Sequence, residues 1–185
     1  MTKFRRSLMG VAALLASVGM ALVPAQAAHA TPIDDCNADA EPVWNSGDIR
    51  AGGNNYTPVA SPFKMFHNDV FRVTARGTIT IDYWGTRKSV NGDPTTGDST
   101  WPADGERRYM LLAKVDKGKV VFPTRDVEYT AGQLFPVGFD STCFRYERTT
   151  PITSSDPSAK LTFSYNDPNL GDNGGAGFVT VRQWF

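Results

Sequence analysis

The chain's apolar pattern predicts an all-β fold, a sandwich or barrel in one domain, and three observations carry that prediction. Residues 71–83 alternate without a break. Phe71, Val73, Ala75, Gly77, Ile79, Ile81 and Tyr83 fall on one side, and Arg72, Thr74, Arg76, Thr78, Thr80 and Asp82 on the other. That is the period of a half-buried strand. Further short apolar runs are separated by Gly, Pro, Asn and Asp, as in sandwiches and barrels. No segment beyond residue 30 carries a sustained 3.6-residue apolar period, the mark of an amphipathic helix.

The elements follow in order. Lys3, Arg5 and Arg6 precede an apolar run at 8–23, and A-Q-A at 25–27 and A-H-A at 28–30 follow it. This reads as a secretory signal peptide over 1–30, cleaved after Ala30 or Ala27. The run is shorter than the roughly 20 residues a spanning helix needs, so no membrane span is expected after its removal. The mature chain then has 155 residues, with 16 basic against 19 acidic side chains, a formal −3. It is expected outside the cytoplasm, secreted, where disulfides persist. Cys36 and Cys143, the only cysteines, are expected to bond to each other. Closing a loop of about 100 residues is worth roughly 4.7 kcal/mol by the chain-entropy model.

Residues 31–62 are polar and rich in Gly, Asn and Pro. They read as an irregular segment with a candidate first strand near Val43. The sandwich is expected over 63–185. After the strand at 71–83, with a bulge or bend at Gly77, strands are expected at 109–115 and 119–122. The D-K-G at 116–118 between them reads as a hairpin turn. Further strands are expected at 142–148, at 160–166 with Leu161, Phe163 and Tyr165 on one face, and at 177–184.

Composition narrows the function. The chain is 41% apolar with 19 basic and 19 acidic residues, which fits a globular protein and argues against a nucleic-acid binder. Two Cys and two His do not make a multi-ligand zinc site, a haem attachment motif or a disulfide-dense scaffold. Two loops carry the unusual chemistry. The first, Y-N-D-P-N-L-G-D-N-G-G at 165–175, joins the last two strands and is longer than the usual two to five residues of a hairpin. Its Asp167, Asp172 and Asn173 offer the side-chain oxygens that calcium prefers. The same residues are also ordinary turn formers. The second loop, residues 91–105, holds Trp101 among polar residues and carboxylates such as Asp104. An exposed indole beside a carboxylate suits a sugar; a Trp folded back onto the core as a loop plug is the alternative.

These stretches resemble the LecA-type calcium-dependent galactophilic bacterial lectins. N-D-V-F-R-V-T-A-R-G at 68–77 resembles that family's early strand, and N-G-D at 91–93 its G-D loop. Y-N-D at 165–167 with D-N-G-G at 172–175 and F-V-T-V at 178–181 resembles its calcium loop and last strand. The resemblance implies a galactose-binding-like jelly-roll β-sandwich. It implies Ca2+ held by Asp167, Asp172 and Asn173, with one carbonyl from Asn169 or Leu170 and another from around 81–83, at Tyr83. It also implies a glycan partner, galactoside-like or other, whose hydroxyls complete the calcium shell. Asp167, Asp172, Trp101 and Asp104 would contact the sugar. Trp101 stands near the position of the family's sugar-contacting His. Because single lectin sites are weak and linked sites gain avidity, a homo-oligomer is expected.

Two other functions stand beside this one. A secreted sandwich can bind a protein partner without metal or sugar. A glycan-active enzyme would need a carboxylate pair, for which Asp93, Asp98 and Asp104 are available, with one pKa raised. A nucleophilic triad would have to use His67, and no G-x-S-x-G elbow is present. Simple binding is the expectation, with no catalytic residues.

Overall fold

The structure, a computed structural model, describes residues 30–59, 63–149 and 158–185. The expected signal peptide, up to residue 29, lies outside these residues. Among them no helix is long and apolar enough to cross a membrane.

Among the described residues, twelve strands form two antiparallel sheets. The longest are β4 (Val70–Thr80) and β12 (Gly174–Trp184), which pair over their full length from Val70–Trp184 to Thr80–Gly174. This ladder is the spine of the larger sheet. On one side of it β10 (Asp140–Glu147) pairs with β4, then β7 (Lys119–Phe122), then β8 (Val127–Thr130). On the other side two short strands, β1 (Trp44–Asn45) and β2 (Ile49–Gly52), share the edge of β12. The smaller sheet runs β3 (Thr57–Pro58), β11 (Leu161–Tyr165), β6 (Leu111–Val115), β9 (Phe135–Pro136). The fold is thus an all-β sandwich, as expected.

Alternation makes the core. Phe71, Val73 and Ile79 from β4 face Leu161, Phe163 and Tyr165 from β11 and Leu111, Ala113 and Val115 from β6, all in one buried cluster. Phe122, Phe135, Phe144 and Phe71 form a run of ring contacts with centroids 5.2–5.7 Å apart. The even side of β4 points outward, where Arg72 pairs with Asp140 and Asp39. Gly77 has φ +103°, but the strand runs through it and the β4–β12 register does not slip there, so there is no bulge. On the other edge the partner changes around it: β10 pairs with residues 70–74, and β5 (Arg87–Ser89) with 78–80. The early strand stops at Thr80. Residues 82–85 form a turn into β5, tied by Asp82 Oδ1 accepting from Trp84 N and Thr86 N.

Several expectations need correction. The described part of the segment 31–62, residues 31–59, is not irregular. It supplies β1, β2 and β3 and a short helix, α1 (Pro32–Asn37). That helix has a Thr31 N-cap, Pro at its start and a reciprocal Asp34 cap. A single six-residue turn shows no apolar period, so only its caps could have revealed it. Cys36 on α1 bonds Cys143 on β10. With Val70 and Trp184 the bridge forms a second small core on the outer face of the larger sheet.

D-K-G at 116–118 is not a hairpin turn. β6 pairs with β11 and β9, whereas β7 pairs with β10 and β8. The turn carries the chain from one sheet to the other. Four steps of up to about 3.6 Å suffice to span the roughly 10 Å between layers. Gly118 has φ +68°, and a Cβ there would lie 2.5 Å from the Glu147 carbonyl. The loop between β11 and β12 crosses the layers in the same way, because those strands also belong to different sheets. Crossing between layers accounts for its length without any ligand.

Tyr165 secures the point where that loop begins. Its hydroxyl passes through the core, donates to Ala51 O on β2 and accepts from Gly177 N on β12. Burial pushes its phenol up to about 12. A Cβ at Gly177 would sit 2.6 Å from this hydroxyl, so the glycine makes room for the link between sheets.

Candidate functional site

The crossing loop starts with Asn166, fully buried. Its Oδ1 accepts from Ala103 N at 2.9 Å. Its Nδ2 donates to the carbonyls of Ala103, Glu106 and Arg107. Its backbone donates to Met110 O and accepts from Tyr109 N. One side chain therefore joins the two loops that the sequence presents separately. In the sequence it was only one turn-forming residue among several, so nothing local marked this role.

The next residues hold their acceptors by one end. Asp167 is buried; its Oδ1 accepts from Asn169 N at 2.9 Å. Asp172, in the 3-10 turn Leu170–Asp172, accepts through Oδ2 from Asn169 Nδ2 at 2.8 Å. Asn173 is buried and donates through Nδ2 to Gly53 O at 3.2 Å. A carbonyl can only accept, so this bond fixes which end of the amide is oxygen. The other oxygen of each residue has no partner: Asp167 Oδ2, Asp172 Oδ1 and Asn173 Oδ1 are all buried and unbonded. Among the described residues only one other buried side-chain polar atom shares that condition, Ser164 Oγ, just before the loop.

An orphaned buried acceptor costs roughly 1–3 kcal/mol, more for a charged group, and an unplaced ion is one standard cause. The three orphans are oxygens that cannot donate. They sit on the three residues whose chemistry suits calcium, so the donor set fits a hard cation. Among the described residues no three His, Cys, Asp or Glu side chains group as a metal cluster. This loop offers two carboxylates and one amide, with carbonyls to add. The Leu170 carbonyl already accepts from Asn173 N at 3.3 Å, with one lone pair left. Tyr83 lies in the turn after β4 and its side chain is exposed. The register that pairs Thr80 with Gly174 runs on toward Ile81 and Asn173, two residues short of Tyr83.

The second loop, between β5 and β6, corrects the expectation of an open Trp101. The ring is half-buried. The Arg108 guanidinium lies over it at 5.0 Å, Tyr109 meets it edge-on at 5.2 Å, and a Cβ on Gly97 would come within 2.6 Å of it. Trp101 plugs its own loop because Gly97 leaves room for it and Arg108 covers it. The most exposed aromatics among the described residues are Tyr83 and Trp84, 84% and 90% accessible. Tyr109, at φ +63°, touches Trp101 of this loop and donates through its backbone N–H to Asn166 O of the crossing loop. Burial first, and then the charge of Asp167, pushes its phenol above the ordinary range.

The carboxylates of this loop divide. Lys88 first, then the Thr95 backbone, hold Asp93 down to about 2. Thr100 lowers Asp98. Both move away from the raised value an acid catalyst needs. Asp104 is exposed at the mouth of a cleft that also takes in Pro102, Glu106, Tyr129 and Gln133. Burial raises the Glu106 carboxyl against the opposing charge of Arg125. Neither Trp101 nor Asp104 is among the partners of the three orphaned residues, but Asn166 ties the backbone beside Asp104 to the crossing loop.

No protein-family model matches the chain, and no curated protein matches it. Among solved structures the chain is similar to one described as "EclA N-terminal domain; PllA-like lectin". The two are 16% identical, with 74% of this chain and 95% of that chain covered and a TM-score of 0.44. At that level the likeness carries no argument about the site, which stands on its own geometry.

Proposed function

We propose that this chain is an extracellular, calcium-dependent carbohydrate-binding protein whose site is the crossing loop at 166–173. One observation carries the reading. Three buried oxygens without partners fall together on Asp167, Asp172 and Asn173, each held at its other end by the protein. Asn169 holds both acids, through its backbone N–H and its side-chain amide. Gly53 aims the Asn173 oxygen. Calcium, when bound, supplies a hard centre whose positions beyond the protein ligands accept hydroxyl oxygens. The protein's part is to present the oxygens already oriented, so that little ordering is left for binding. The Cys36–Cys143 bond suits an oxidising compartment. Tyr83 and Trp84 stand at the end of β4 whose register runs toward the loop, where exposed rings can cover the apolar face of a glycan.

Thermal unfolding in EDTA and then in excess calcium tests the metal. A glycan array read with and without calcium tests the sugar. The reading expects a calcium-dependent rise in midpoint and calcium-dependent glycan retention, both lost in Asp167→Ala. A midpoint indifferent to calcium, with titration calorimetry also silent, overturns it.

A further inference from the structure

A second cavity, of about 360 Å3, lies far from the crossing loop. Gln183 lines it, nine residues along β12 from Gly174, a distance of roughly 30 Å at the rise of a strand. Four aromatic rings, Trp44, Phe63, Phe66 and Phe185, make most of its wall. Trp44 and Phe63 stand 5.1 Å apart at 44°. Phe66 and Phe185 are 42% and 68% exposed. In this apolar wall sits one acid, Asp69, only 6% exposed.

Asp69 is half-satisfied. Its Oδ2 accepts from Phe66 N and from Gln183 Nε2, each at 2.8 Å. Its Oδ1 is open to solvent and accepts no hydrogen bond among the described residues, and no ion pair there includes Asp69. Burial pushes its carboxyl above the ordinary range despite the two donors. Lys64 also lines the cavity, but its side chain is exposed and forms no ion pair with Asp69 among the described residues. A pocket of this size, apolar with a few convergent polar groups, is the usual form of a small-molecule site.

The walls decide the ligand's chemistry. An anion would meet Asp69 and the negative faces of the rings. A bare metal ion would need about six oxygens, where one carboxylate oxygen is free. A neutral apolar ligand would leave the carboxylate uncompensated. A primary ammonium carries three N–H donors and would find one acceptor. We propose that this cavity binds a quaternary ammonium group, whose methyls need no acceptors, whose charge neutralises Asp69, and whose surface packs on the four rings as cations do on aromatic faces.

The test is calorimetric titration of the full protein with choline and with 3,3-dimethylbutan-1-ol, its neutral carbon counterpart. Choline is expected to bind one to one, at least tenfold more tightly than the alcohol. Asp69→Asn should erase that difference. Phe185→Ala, at an exposed position that the fold does not need, should weaken choline three- to tenfold while leaving the circular dichroism unchanged. That second variant keeps the test decisive if Asp69→Asn folds poorly. A parallel sedimentation with phosphatidylcholine vesicles separates a lipid headgroup from a soluble ligand; binding of either carries the proposal. Equal binding of choline and the alcohol, or binding of neither choline nor the vesicles by folded protein, overturns it. Calcium and EDTA should make no difference, so this result stands or falls apart from the calcium-dependent reading of the crossing loop.

Discussion

The loop between β5 and β6 and the loop between β11 and β12 are both rich in Asp, Asn, Gly and Pro, yet they end in opposite states. In the first, every acid with a local role is satisfied. Asp93 takes Lys88 Nζ at 2.5 Å and Thr95 N at 3.1 Å. Asp98 takes the N–H and hydroxyl of Thr100. In the second, Asp167, Asp172 and Asn173 are each held by one end and left open at the other. The first is a self-contained turn system closed by its own Trp101. The second is a turn system with acceptors to spare. Unpaired buried acceptors, not acidic composition, are what separate a candidate ligand site from a loop.

The largest expected effect is on that difference itself. At a hundredfold excess over Kd, calcium should add about 2.7 kcal/mol to wild-type stability, a rise in Tm of roughly 5–11 °C for a chain of this size. Asp167→Ala should show none of it, while Asp93→Ala should keep all of it; differential scanning fluorimetry reads both. A calcium shift that survives Asp167→Ala breaks the contrast between the loops.

Next comes their common anchor. Asn166→Ala strips side-chain donors from three carbonyls and an acceptor from Ala103 N. It should cost about 2 kcal/mol in urea unfolding, with the calcium shift weakened as well. A change confined to one loop, seen by amide exchange at 97–108 and 167–173, would show that Asn166 does not couple them.

A smaller effect runs the other way. In EDTA, Asp167→Asn should stabilise the protein by up to about 1 kcal/mol, since a buried unpaired charge is replaced by a neutral amide. The same variant should lose the calcium response. Wild-type stability in EDTA equal to or above the variant's would mean that the Asp167 oxygen is not stranded.

The smallest effect concerns the satisfied loop. The folded pKa of Asp93 is depressed from 3.8 to about 2. The stability it confers is therefore present above about pH 4 and lost as pH falls through about 2. The Lys88–Asp93 pair is only part-buried, so added salt should shrink the effect. Carboxyl-detected NMR titration should find the low midpoint in wild type and a return toward 3.8 in Lys88→Met.

Much of the sandwich is legible in single segments. The alternation of β4 and the apolar face of β11 follow from local period, and the disulfide partners from there being only two cysteines. The helix α1 was legible only through Thr31, Pro32 and Asp34, because its length is too short for a period. The residues of the candidate site stood out in the sequence by their chemistry, and Asp167, Asp172 and Asn173 each keep one buried oxygen open. Trp101 was legible as an aromatic in a polar loop, but not as a plug, since Gly97 and Arg108 cover it through contacts that no local pattern encodes.

What the chain's order of residues determines by itself is which segments extend, where they turn and what donors and acceptors each loop contains, because those depend on neighbours within a few positions. Tertiary structure alone decides that β6 and β7, and β11 and β12, lie in different layers rather than in hairpins. It alone decides that Asn166 spends its amide on the 103–107 backbone, and that Gly53, 120 residues away, turns the Asn173 oxygen free. Hydrogen bonds and layer assignments are pairings, and a pairing is settled only when both partners have been brought together.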